Sequence, residues 1–346
     1  MTRHIRANLF AASAFVFTVT AGAAPTFAQD AIAHFKANRN INLYIGYAPG
    51  GSYDLYGRMV ARHLGRHIPG EPNVVPSNMP GAGSLQAANY IYNVAPKDGT
   101  ALGALGETLA MEQALRNPGV KYDASKLTWI GRIASSNNIH LVWHTAKAQS
   151  IDDALKYEMS VAGTGPANLA ETVPRLLNAL IGTKFKIISG YPSSGPGMLA
   201  MERGEVDGAG TSWAAIKSTK QDWLRDKKVK IILQDLPERD PELPDVPALL
   251  EFGKTDADKQ LLNLYASGGA IGRAVSAPPD LPPQITQALR SAFQAMVKDP
   301  QLKADLDKAK LSLEPASHAA LEATVNKTVN VSDEIRQRVR SIFGNQ

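Results

Sequence analysis

The sequence contains no cysteine. Disulfides, thiol nucleophiles and zinc–thiolate centres are therefore excluded, as is a lipid anchor on a cysteine behind a processing site. Long apolar runs are scarce. One stands near the amino terminus, Leu9 to Val19, broken by Ser13 and Thr18, and it is too short to span a bilayer. No G-x-S-x-G elbow, H-E-x-x-H pair or P-loop occurs. There is no tandem repeat of fixed period. Dense basic charge is confined to Lys227-Lys228-Val229-Lys230, with no interleaved aromatics, so a solvated surface is the better reading and no nucleic-acid partner is expected.

What is present fits a globular chain. Its 346 residues are 44% hydrophobic and 20% charged, enough for one large or two medium domains. Arg3 and Arg6, the apolar run and the small residues around Thr26-Phe27-Ala28 form the three parts of a secretory signal peptide covering residues 1–28. Cleavage is expected after Ala28, giving an exported, periplasmic protein. The formal charge of +5 falls to +3 once Arg3 and Arg6 are removed, a mild excess compatible with anionic ligands.

Residues 41–64 run from a strand through a glycine turn into a helix. Ile41, Leu43 and Ile45 alternate with Asn42 and Tyr44, the period of a strand. Pro49-Gly50-Gly51 breaks it. Ser52 and Asp54 are helix-capping types, and Leu55, Met59 and Leu64 follow at roughly helical spacing. Such a turn aims unpaired N–H groups and the positive end of a helix dipole at one point, a ready site for an anion. Asp54 has two readings: it caps the helix, or it accepts from a ligand amine or hydroxyl.

Similar units recur. A second glycine turn, Pro80 to Ser84, could bring Ser84 to a cleft. A third, Gly163-Thr164-Gly165-Pro166, follows a strand at Met159 to Ala162 and leads through Asn168 into a helix to about Leu180. Gly163, Thr164 and Asn168 are read as anion contacts, Thr164 as a donor and Asn168 as either. Neither turn carries the third glycine of a dinucleotide fingerprint. Pro174 is expected to kink the third helix or mark its first turn. Leu236 to Val246, with Pro237, Pro241 and Pro244, reads as a crossing between lobes. His63 and His67 lie among Arg62 and Arg66, a poor field for a cation; no metal or cofactor is expected. His140 and His144 share a strand face and are read as packing or exposed residues.

The Pro-Gly-Gly-Ser-x-Asp run, the Pro-Gly-Ala-Gly turn, Pro96-Lys97-Asp98-Gly99 before a strand and Leu243-Pro244-Asp245-Val246-Pro247 occur in this order. Together they resemble the periplasmic receptors of tripartite tricarboxylate transporters, the Bug or TctC-like family. The resemblance implies a two-lobed, hinge-closing α/β binding protein, each lobe a mostly parallel sheet flanked by helices. Residues 29–133 with 246–346 would form lobe I, and 134–245 lobe II. It also implies a monomeric receptor, not an enzyme, that hands a small organic anion to a membrane permease. One loop from each lobe would pinch the ligand carboxylate: Ala48, Pro49, Gly50, Gly51, Ser52, Tyr53 and Asp54 in the first, and Gly163, Thr164, Gly165 and Asn168 in the second. Gly190 and Tyr191 would stand near the far end of the ligand, with Ser212 as a polar cleft residue. Two departures are visible. Tyr53 is bulky where the family usually has a small residue, and the second loop lacks the serine-rich, histidine-containing form. A secreted α/β hydrolase with a non-local nucleophile, and a receptor for an inorganic oxyanion, remain alternatives.

Overall fold

The computed structural model describes residues 24–344. The basic and apolar parts of the expected signal peptide lie outside the described residues. Helix α1 (Ala24–Ala37) spans the expected cleavage point and leads into β1 (Asn40–Ile45). Ile41, Leu43 and Ile45 of β1 are buried, as their alternation predicts. Then follow α2 (Ser52–Leu64), β2 (Asn73–Asn78), α3 (Leu85–Asn93), β3 (Ala101–Ala104), α4 (Leu109–Ala114) and β4 (Thr128–Arg132).

The chain then leaves this first sheet. It forms β5 (Asn138–Trp143), α5 (Ile151–Ala154), β6 (Met159–Gly163), α6 (Leu169–Ile181), β7 (Phe185–Ser189) and α7 (Ser194–Glu202). Next come β8 (Gly208–Ser212), α8 (Trp213–Thr219), α9 (Gln221–Arg225), β9 (Val229–Gln234) and α10 (Asp256–Ala266). The last part, β10 (Ala274–Ala277), α11 (Pro283–Met296), α12 (Pro300–Lys308), β11 (Ala316–Ser317), α13 (His318–Val329) and α14 (Asp333–Phe343), begins by rejoining the first sheet. Pro174 lies within α6, which runs through it. That helix ends at Gly182 in the left-handed region that glycine favours.

Two sheets result. The first has the order β11-β4-β10-β3-β1-β2, the second β7-β6-β8-β5-β9. Both are mixed. The strand–turn–helix units pair in parallel, β1 with β2 and β3, and β6 with β7 and β8. Antiparallel pairs arise where the chain changes sheet, β5 against β8 and β9 and β10 against β3 and β4, and at the short edge strand β11 against β4. A strand entering from the other sheet needs no crossover helix, so nothing forces it to run parallel.

Each sheet is covered on both faces. In the first, Ile41, Val60, Leu289 and Phe293 share one apolar cluster, and Leu85, Ile91, Trp129 and Val325 another. In the second, Val161, Leu176 and Phe185 form one cluster, and Ile139, Met201 and Trp223 another.

The chain does not cross back at Leu236–Val246. Gln234 Nε2 donates to the Leu243 and Val246 carbonyls, and Gln234 N to Pro247 O, folding this proline-rich segment onto its own sheet. Leu249, Leu261 and Tyr265 then join the Val161 cluster, beyond the expected return at 246. The return lies after α10, where Arg273 N donates to Ala134 O and Ser136 N to Gly269 O. The outgoing and returning strands are thus tied together between the sheets.

Candidate functional site

The two halves meet across a small polar cavity of about 40 Å³. From the first sheet's side it is walled by Tyr47, Gly51, Ser52, Tyr53, Glu107 and Arg273. From the second come Thr164, Asn168, Ser193, Ser194, Thr211 and Ser212, with His140 and Asp235 behind them. A larger groove of about 900 Å³ runs beside the crossing segments near Asn137, Pro237 and Gly269. None of the glycine-turn residues line it, and the α2 and α7 starts that border the smaller cavity are absent from its lining.

Helix starts dominate the small cavity. The α2 start at Gly51 has no side chain capping it, nor has the α7 start at Ser193. These two starts come from opposite halves and approach closely: a Cβ on Gly51 would stand 3.0 Å from Ser194 Oγ. Unpaired N–H groups and two positive dipole ends therefore border the same space. The α6 start differs, because Asn168 Oδ1 accepts from Ala170 N at 2.9 Å and caps it. Asn168 Nδ2 donates to Tyr47 Oη at 2.9 Å, so this side chain holds the halves together instead of standing free for a ligand. Thr108 Oγ1 adds a second cross-bond to Ala167 O at 2.7 Å, and Ala48 N donates to Pro192 O.

Asp54 is fully engaged. It accepts from Gly50 N at 3.2 Å, Arg58 Nε at 2.9 Å and Asn78 Nδ2 at 3.0 Å. Burial pushes its carboxyl up, but these three donors outweigh burial and hold it below the usual carboxylate range. Of its two readings, the structural one describes what it does. Gly50 N is consumed in the same network, which leaves Gly51, Ser52 and Tyr53 as the part of the first loop that lines the cavity.

The remaining sequence-derived residues divide similarly. Thr164, Asn168 and Ser212 line the cavity; Ala48, Pro49, Gly163, Gly165, Gly190 and Tyr191 do not. Ser212 Oγ caps α8 by accepting from Ala215 N. Ser84 is buried and accepts from Gly106 N. Gly83 and Gly165 instead mark where the halves touch: a Cβ on Gly165 would lie 2.7 Å from Gly83 N.

Charged side chains in the cavity wall escaped the sequence reading. Arg273 Nη1 donates to Glu107 Oε2 at 2.8 Å and Nη2 to Ser52 Oγ at 2.9 Å. Its guanidinium stands 4.1 Å from the Tyr53 ring centroid. Burial alone would lower the Arg273 pKa, but the neighbouring Tyr53 and Glu107 keep it above the ordinary value. Tyr53 Oη accepts from Glu107 N at 2.7 Å, and Asn138 Nδ2 bonds Glu107 from the second sheet. Because Arg273 already donates to Ser52 Oγ, that hydroxyl keeps its own proton for an acceptor in the cavity.

On the opposite wall, His140 Nε2 is 3.1 Å from Asp235 Oδ2. His140 is therefore a cavity residue, not merely a packed one. Burial raises the Asp235 pKa, opposed by His140. A lone arginine within the apolar stretch Ala270 to Val275 was a legible signal. The His140–Asp235 and Arg273–Glu107 pairings were not, since each joins distant segments.

Two mixed α/β sheets meeting at a polar cavity define the periplasmic-binding-protein architecture. The family model for the tripartite tricarboxylate transporter family receptor, TctC, matches residues 56–340, and the chain belongs to that family. Solved structures share the fold. One described as the periplasmic binding protein BugD has 20% identity over 88% of this chain and 97% of its own, with a TM-score of 0.70. MatC from Rhodopseudomonas palustris with bound malate has 20% identity over 88% and 98%, at 0.66. Rpa4515 of R. palustris with adipate has 18% identity over 89% and 97%, also at 0.66. Comparison with curated proteins found no match. No described helix is long and apolar enough to cross a membrane.

Proposed function

We propose that the protein is a periplasmic receptor that captures a small organic carboxylate and delivers it to a tripartite-type membrane permease. The observation that carries this reading is the meeting of the α2 and α7 starts, neither capped by a side chain among the described residues, at one small polar cavity. A carboxylate there receives backbone N–H groups from both halves and the Ser52 hydroxyl directed by Arg273. Each charge-assisted hydrogen bond contributes about 1.5–3 kcal/mol net. Three or four approach the roughly 8 kcal/mol of micromolar binding before ordering costs.

We infer that the two sheets are the cores of two lobes, flexing where Ile133–Asn137 and Ser267–Arg273 run side by side. Gly51 to Tyr53 would belong to one jaw and Thr164, Ser193 and Ser194 to the other. A binding role is favoured over hydrolysis because, among the described residues, no serine or threonine of the cavity is hydrogen-bonded to His140. The malate and adipate bound by family-fold neighbours suggest carboxylates as the first ligands to try.

Isothermal titration of ligand-free protein against mono-, di- and tricarboxylates and phosphate tests this. Micromolar binding of at least one carboxylate, in preference to phosphate, is the expected result. A folded protein that binds none of them is not a carboxylate receptor.

A further inference from the structure

Carboxylate capture uses the helix starts and Ser52 but leaves the size and the charge balance of the cavity unexplained. Size is set by Tyr53. Its ring is stacked on Tyr47, with centroids 4.6 Å apart and planes at 27°, and Arg273 covers it. What remains is about 40 Å³. That is more than one water requires and suits a compact ligand.

The charge balance is equally restrictive. Arg273 is neutralised by Glu107 at 2.8 Å. His140 and Asp235 share a contact at 3.1 Å, and whichever holds the shared proton, the pair adds no net positive charge. Among the described residues no other charged side chain lines the cavity. Its uncompensated positive potential therefore comes from the α2 and α7 starts, which converge on one place. A second carboxylate would find no uncompensated cation.

Among the described residues the cavity wall carries one unpartnered donor, Arg273 Nε on the Ser52 side, and two unpartnered acceptor atoms on the opposite side. Asp235 Oδ1 stands 3.1 Å from His140 Nε2 but accepts no hydrogen bond, and Thr211 Oγ1 has no partner. Asp235 is 2% exposed and Thr211 6%. Buried polar atoms left this way are costly unless a ligand or water completes them.

Resting on the receptor reading above, we propose that the ligand is a compact monocarboxylate bearing a hydrogen-bond donor close to the carboxylate: a short 2-hydroxy or 2-amino acid. Its carboxylate lies between the α2 and α7 starts and accepts from Ser52. Its hydroxyl or ammonium donates to Asp235 and Thr211. Extended di- and tricarboxylates are rejected by Tyr53 and by the lack of a second cationic site.

The test is titration of the full exported chain, freed of ligand, at neutral pH against lactate, alanine, propionate, malate and adipate. Lactate or alanine should bind at least about tenfold tighter than propionate, which lacks the donor, and than malate or adipate. In Asp235→Asn that preference over propionate should shrink to about threefold or less. Thr211→Val, with less demand on folding, should narrow it in the same direction. Malate or adipate binding as tightly as lactate and alanine overturns the proposal and leaves the receptor reading standing. So does a preference unchanged in whichever of the two variants is folded. A native protein that binds no carboxylate sinks both.

Discussion

Arg273 and Glu107 are 166 residues apart in sequence and 2.8 Å apart in the structure. Removing one partner leaves the other charge buried and unpaired, which costs about 3–5 kcal/mol. Arg273→Ala is therefore expected to lower the urea-unfolding free energy by that amount. Ser52→Ala removes no charge. It leaves Arg273 Nη2 without its buried acceptor, so it should cost about 1–3 kcal/mol of unfolding free energy, less than Arg273→Ala, while weakening carboxylate binding about tenfold, readable by titration. Of these three residues only the role of Ser52 could be read from sequence, because it follows from a local turn; Arg273 stood out as a lone arginine, but its pairing with Glu107 did not. A second buried acid tells a different story. Burial pushes Glu112 up to about 7 from an ordinary 4.5, partly opposed by a bond from Asn117. The folded protein thus holds this proton more tightly than the unfolded chain does. The associated stability is complete below about 4.5 and is lost as pH rises through about 7. Glu112→Gln should leave stability near the acid end unchanged and raise it by up to about 3 kcal/mol above neutrality. Denaturant titrations at both ends would show whether the difference opens in that direction.

Among the elements, the three helix starts at the cavity are unlike one another. Asn168 caps α6 with its own side chain, whereas Gly51 and Ser193 leave α2 and α7 without such a bond. Asn168→Ala should cost about 1 kcal/mol of unfolding free energy, the usual loss for an N-cap, whereas Ser193→Ala should cost almost nothing. Equal losses in urea unfolding would mean that Ser193 caps α7 after all. Sequence placed the α2 and α6 starts, since glycine, serine and asparagine before helically spaced apolar residues are local signals; the α7 start precedes a run with little amphipathic pattern and gave no such signal. Sequence could not say which starts were already satisfied, because that depends on where one carboxamide points. The same limit applies to the strands. Alternation located β1, and the β–turn–helix units gave the parallel pairs. The antiparallel entries of β5 and β10 and the fold-back of Leu236–Val246 depend on partners far along the chain: Gln234 reaching Leu243 and Val246, and Arg273 reaching Ala134.

At the scale of the whole molecule, the inferred closure would bring backbone against backbone at Gly83. Its φ of +67° lies in the left-handed region, and an added Cβ would sit 2.8 Å from the Ala167 carbonyl carbon and 3.0 Å from its Cβ. Gly83 belongs to the first half and Ala167 to the second, so this contact exists only when the halves are together. Gly83→Ala then has two separable effects. The backbone conformation costs about 1–2 kcal/mol for any residue with a Cβ, whether the halves are open or shut. The clash with Ala167 opposes closure alone. Gly204 supplies the control: its φ is +74° and an added Cβ there meets nothing within 4 Å, so Gly204→Ala carries the strain without the clash. Both variants should lose similar unfolding free energy. Only Gly83→Ala should weaken carboxylate binding, by about tenfold or more, and keep a larger radius of gyration in saturating ligand by small-angle scattering. If Gly83→Ala compacts as fully as Gly204→Ala, ligand capture does not require the two halves to meet at this turn, and the jaw-like closure inferred for the molecule fails with it.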